Sequence, residues 1–157
     1  MKTTIEHNSK TYQINLSKPL DISMGLRNDK NTPTAWYVNE PRFEPVMENG
    51  FVGDVNLGGA VNFRNIFFNP HGHGTHTECV GHISKEPFTI NECLKQFFFL
   101  ANVVSITPEK QGNDSVITHE QMEAVFINNG AKAIVIRTLP NTNEKLVMQY
   151  SSTNPTF

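Results

Sequence analysis

Two apolar runs flanking a helix-coded stretch limit the folding of this chain more than any other feature. They are residues 97–106 (FFFLANVVSI) and residues 131–139 (AKAIVIRTL). Both are of strand length and carry the β-branched and aromatic side chains that suit a pleated surface. The first is ended by Pro108. Between the two runs, Thr118 and Gln121 form a capping-box pattern, Met122, Val125 and Phe126 recur at helical spacing, and Gly130 supplies a stop. Strand, helix and strand in that order predict a right-handed parallel crossover, because parallel strands need a long connection between them. The unbroken apolar character of residues 97–106 places that strand in a sheet interior. The expected class is therefore α/β.

Upstream, residues 10–16 alternate, with Tyr12, Ile14 and Leu16 on one face of a half-buried strand. Residues 61–68 (VNFRNIFF) read as a buried strand stopped by Asn69-Pro70. Between them, residues 17–50 hold Pro19, Pro33, Pro41 and Pro45 and keep no lasting period. With Trp36, Tyr37, Phe43 and Met47 among them, these residues suit a long loop that folds over something, as lids and binding loops do. A length of 157 residues is one domain's worth of chain, residues 1–157. The polar tail YSSTNPTF follows soon after the last expected strand, which would leave a sheet edge or an apolar face uncovered. The chain is therefore expected to be the N-terminal portion of a longer domain, incomplete at the C-terminus.

A formal charge of −2, from 13 basic and 15 acidic residues spread along the chain, gives no electrostatic footprint for nucleic acid or anionic lipid. No apolar stretch reaches a membrane span, and MKTTIEHNSK lacks a signal core, so no membrane partner and a cytoplasmic location are expected. Cys79 and Cys93 are too few for a disulfide framework and read as reduced thiols, Cys79 lying where it could line a site.

That site is the run NPHGHGTHTECVGH from Asn69. His71, His73, His76 and His82, four of the six histidines of the chain, cluster there around Glu78. The intervening Gly72, Gly74 and Gly81 let a loop wrap tightly around a centre. Neutral imidazoles and a carboxylate are ligands for zinc or manganese. The bland alternative is a histidine-rich solvated turn. Elsewhere, His119 falls in the first turn of the expected helix as a solvated residue, and His7 at a mobile terminus. Trp36 and Phe43 read either as core or as stacking platforms for an aromatic substrate.

Gly74-Thr75-His76-Thr77-Glu78 with His82 resembles the H-x-G-T-H-x-D-x-P-x-H signature of the cyclase, or kynurenine-formamidase-like, metal hydrolases. The segment INLSKPLDIS looks like that family's early Asp-Leu-Ser-type segment. Glu78 stands where the family has aspartate, Val80 where it has proline and Gly72 where it has the first histidine. His71 and His73 flank that position, and His71 is preferred because one extra glycine-rich residue can be absorbed as a bulge.

The resemblance implies a swivelling-domain-like β/α core with a mixed sheet, a Zn or Mn centre and a homo-oligomer acting on a small-molecule substrate. It implies His71, His76 and Glu78 as metal ligands and His82 as the catalytic acid or base. The implied reaction is hydrolysis of an aryl formamide, cyclic amide or other small amide by metal-activated water. The family also implies further ligands from the C-terminal part, and no matching segment follows Leu139. The alternative is therefore a non-catalytic metal- or small-ligand-binding member of the same fold.

Overall fold

The computed structural model describes residues 1–150. In chain order the elements are β1 (Lys2–His7), β2 (Lys10–Asn15), β3 (Arg42–Pro45), β4 (Met47–Glu48), β5 (Phe51–Val52) and β6 (Arg64–Phe67), then α1 (Ile90–Cys93), β7 (Ala101–Ile106), β8 (Glu109–Gln111), β9 (Asp114–Val116), α2 (His119–Val125) and β10 (Ala133–Thr138). This is a mixed α/β arrangement in which the strands pair two by two. No helix among the described residues is long and apolar enough to cross a membrane.

The strand, helix and strand crossover is present: β7 and β10 run parallel, with Ala101 opposite Ala133 and Ile106 opposite Thr138. Thr118 caps α2 through a reciprocal capping box with Gln121. The helix stops at Val125, earlier than Gly130 would have ended it. Asn102 explains this, because its Nδ2 donates to the Ile127 carbonyl at 3.0 Å and its Oδ1 accepts from Asn129 Nδ2 at 3.0 Å. Those bonds hold the connection against β7 in place of further helical turns.

Burial corrects two expectations. β7 is covered on one face only: Val104 and Ile106 are 8% and 4% exposed, while Val103 on the other face is 70% exposed. Phe97, Phe98 and Phe99 precede the strand and are exposed. The strand at residues 61–68 shrinks to β6, whose Ile66 and Phe67 are also exposed. The common reason is the absence of a second layer over these faces among the described residues. The chain, of 17.7 kDa, exposes 12599 Å², against about 7,900 Å² for a compact monomer of that mass.

β2 matches the strand expected at residues 10–16, but its partner β1 went unread. Asn8 and Ser9, at φ 47° and 59°, make the two-residue turn between them. Residues 17–50 are irregular only up to β3, which pairs antiparallel with β6. Asn49 and Gly50, at φ 50° and 82°, close the tight β4 to β5 hairpin. Beyond it, the Asp54 carboxylate accepts from Asn56 N–H at 2.9 Å and from Arg64 Nη2 at 2.7 Å. The Asn56 N–H and then the guanidinium hold that carboxyl below its ordinary range, against desolvation.

Two sets of backbone contacts position the site. Ala35 N–H donates to the Gly72 carbonyl at 2.9 Å, tying the proline-rich segment to the histidine loop. Tyr150 N–H donates to the Thr34 carbonyl at 2.7 Å, and Gln149 Nε2 donates to the Thr32 carbonyl at 2.8 Å. The C-terminal end of the described chain is thereby brought to the same segment. The last seven residues of the polar tail, 151–157, lie outside the described residues.

Candidate metal centre

The loop from Asn69 to His82 is fixed by short-range bonds before any ion is considered. Asn69 Oδ1 accepts from His71 N–H at 2.9 Å, and the Asn69 carbonyl accepts from Gly72 N–H at 3.1 Å. Gly74 takes φ 137°, which L side chains rarely adopt, and turns the chain toward His76. Thr75 Oγ1 accepts from Met24 N–H at 2.9 Å, fastening the loop to residues upstream. A 3-10 turn, Val80–His82, follows, and Gly81 lies so close to the Phe88 carbonyl that a Cβ there would collide with it.

The outcome is convergence on one oxygen. Glu78 Oε2 lies 3.2 Å from His71 Nδ1, 3.5 Å from His76 Nε2 and 3.7 Å from His82 Nδ1. His71 stacks on His82 at 4.4 Å between centroids and meets His76 edge-on at 5.0 Å. His76 Nδ1–H donates to the Gly74 carbonyl at 3.0 Å, which orients the ring with Nε2 toward Glu78. The four side chains are between 28% and 48% exposed, so the centre is open to solvent on one side.

These residues fit a divalent ion. The donor atoms of His71, Glu78 and His82 lie within 4.8 Å of one another, and His76 joins them through Glu78. Ligand bonds to zinc are about 2.0–2.2 Å long, so two donors on one ion stand up to about 4.4 Å apart. Small side-chain rotations close the difference. The set of imidazoles and one carboxylate is the one that borderline metals favour.

His73 stands apart from this group. It is 5% exposed, accepts from Asn69 N–H at Nδ1 (2.7 Å) and donates from Nε2 to the Asn39 carbonyl (2.6 Å). Both ring nitrogens are engaged, and the residue fastens the loop to residue 39. His119 lies on the exposed surface of α2, 3.7 Å from Glu123. His7 ends β1, and its Nε2 donates to the Gly130 carbonyl at 3.1 Å, so it is held in the fold and is not at a free terminus. Cys79 Sγ donates to the Phe88 carbonyl at 3.6 Å. The neighbouring Cys93 thiol is pushed up by desolvation and then by its contact with Cys79.

A cavity of about 350 Å³ opens beside His71 and His76, with Met24, Pro33, Ala35 and Tyr150 among its walls. Trp36 and Phe43 do not line it. Trp36 and Tyr37 sit next to it in a turn with φ 57° and 60° and are largely exposed. Sequence reasoning missed Met24 and Tyr150, which are far along the chain from the histidine loop and belong to no motif.

A carboxylate gathering three imidazoles beside an apolar cavity is an arrangement that could hold a divalent metal ion. The chain belongs to the cyclase family: over residues 14–156 it matches the family model described as "Putative cyclase". That membership suggests a metal-dependent, hydrolase-like role. No curated protein and no solved structure matches the chain.

Proposed function

We propose that this chain is a metal-dependent hydrolase of small amides, aryl formamides or cyclic amides, built on a swivelling-domain-like core. The observation that carries the reading is the convergence of His71, His76 and His82 on Glu78 beside the cavity, in a chain of the cyclase family. His71, His76 and Glu78 would hold the ion. When bound, a zinc or manganese ion supplies a Lewis acid for the amide carbonyl and lowers the pKa of water to about 7. The rest is the work of the chain. The cavity receives the apolar body of the substrate. His82 takes the proton of the attacking water and delivers it to the leaving nitrogen, so that amide and water become carboxylic acid and amine. Glu78, next to His82, steadies the imidazolium that forms meanwhile.

A second reading makes His82 a ligand, favoured by the grouping of its donor atom with those of His71 and Glu78. Metal content and turnover of a panel of aryl formamides and cyclic amides, measured on the protein and on His82→Ala, separate the two. A proton-transfer role lowers turnover by about 10²- to 10⁴-fold with metal retained. Parallel loss of metal and turnover makes His82 a ligand. Metal binding without turnover of any member of the panel supports the non-catalytic alternative, for which the open, half-exposed centre speaks.

The same reading includes a cytoplasmic location, which suits two free thiols, and a homo-oligomer, supported by the excess exposed surface.

A further inference from the structure

The arm of the loop that carries Glu78 and His82 leans on the segment leading into α1. Cys79 Sγ donates to the Phe88 carbonyl at 3.6 Å, and Gly81 backs onto the same carbonyl so closely that no Cβ fits between them. The next residue, Thr89, caps α1 through a reciprocal capping box with Glu92, and its carbonyl accepts from Cys93 N–H at 3.0 Å. Cys93 therefore stands one helical turn from the residue that follows the carbonyl touched by Cys79. The two thiols meet there: desolvation and, after it, the contact with Cys79 hold the Cys93 thiol above its ordinary pKa. Both cysteines are free, Cys93 exposed and Cys79 half-buried.

We propose that Cys79 and Cys93 are a redox-sensitive pair, which a hydroperoxide converts to an intramolecular disulfide. The Cys93 sulfur, the more accessible of the two, attacks the outer oxygen of the peroxide as thiolate. The O–O bond breaks, and the other oxygen leaves with the thiol proton as water or an alcohol. Cys79 then attacks the sulfur of the Cys93 sulfenic acid: the S–S bond forms, the S–O bond breaks, and the hydroxyl leaves as water with the Cys79 proton. Two electrons pass from the sulfurs to the peroxide, and a reducing thiol reverses the change by exchange. Cys79 follows Glu78 and opens the 3-10 turn that ends at His82, so the bond braces that arm against α1. The brace is independent of what the loop binds.

The test treats the full chain with hydrogen peroxide, denatures it in N-ethylmaleimide and weighs it intact. The treated chain has lost the mass of two hydrogens and takes up no maleimide, where the untreated chain takes up one on each cysteine. Dithiothreitol restores both sites, and the fraction converted in a given time does not change with protein concentration. The loop closed by the bond, residues 79–93, is about 15 residues long, so the melting temperature of the oxidised chain rises by about 6–12 °C. Cys93→Ser, a change at an exposed position, shows no such rise on the same treatment. A disulfide-linked dimer, oxygen added to the thiols with no bond between them, or continued uptake of maleimide on both cysteines overturns the proposal. So does a melting temperature that fails to rise in the oxidised chain, or one that rises equally in Cys93→Ser.

Discussion

Replacing Glu78 with glutamine keeps the shape of the side chain and removes the charge on which three imidazoles converge at 3.2, 3.5 and 3.7 Å. In the metal-free protein the change is small. The partners are 28–46% exposed, so solvent screening limits the loss to less than about 1 kcal/mol, a shift of less than about 4 °C. In the metal-loaded protein it is large. Loss of an outer hydrogen-bond partner to a ligand costs about 10- to 100-fold in affinity, so loss of a ligand itself costs at least about 100-fold. With zinc at about 1,000 times the parent's Kd, binding stabilises by about 4.1 kcal/mol. At affinity 100-fold weaker the same zinc stabilises by about 1.4 kcal/mol. The difference, about 2.7 kcal/mol, shortens the zinc-induced rise in melting temperature by about 5–11 °C. Thermal melts with and without zinc, paired with competition against a chromophoric chelator, measure both quantities. A Glu78→Gln protein whose zinc affinity stays within about threefold of the parent, with the same thermal gain, would refute the assignment of Glu78 as a ligand.

Two further outcomes test the fold and the thiols. Ile106→Ala, at a residue 4% exposed, costs about 2–5 kcal/mol in urea unfolding, whereas Val103→Ala, at 70% exposure on the opposite face, stays within about 0.5 kcal/mol; equal costs would show that both faces of β7 are covered. A raised pKa means less thiolate at a given pH, so Cys93 is alkylated by iodoacetamide more slowly at neutral pH than an unstructured peptide thiol and reaches its half-maximal rate at higher pH; a rate profile matching the peptide's would remove the shift.

What the sequence made legible is what depends on near neighbours. The capping box of α2 and the parallel pair it joins follow from residues within one turn or one strand. The histidine cluster was legible because its ligand-type residues crowd into one short loop. The choice between His71 and His73 was not, since adjacent imidazoles differ only in what lies across from them: Glu78 for one, the carbonyl of Asn39 for the other. The end of the helix was misjudged where side chains from elsewhere intervened, as Asn102 does beyond α2. The aromatic run at residues 97–99 reads as core by composition, and its exposure depends on whether another layer lies over it, which no local pattern encodes. Tyr150 left no signal because a long-range backbone bond to Thr34 places it.

The 12599 Å² of exposed surface also governs how the chain comes apart. The denaturant slope and the heat-capacity change of unfolding both scale with the surface newly wetted in the transition. Side chains such as Phe97 and Phe98, already hydrated in the folded chain, contribute almost nothing to either. Taken alone, the chain therefore unfolds over a broad range of urea and has a flat stability curve with temperature. Covering those aromatics sharpens the transition even where its midpoint barely moves, so the steepness of unfolding, more than its midpoint, reports whether the face is covered.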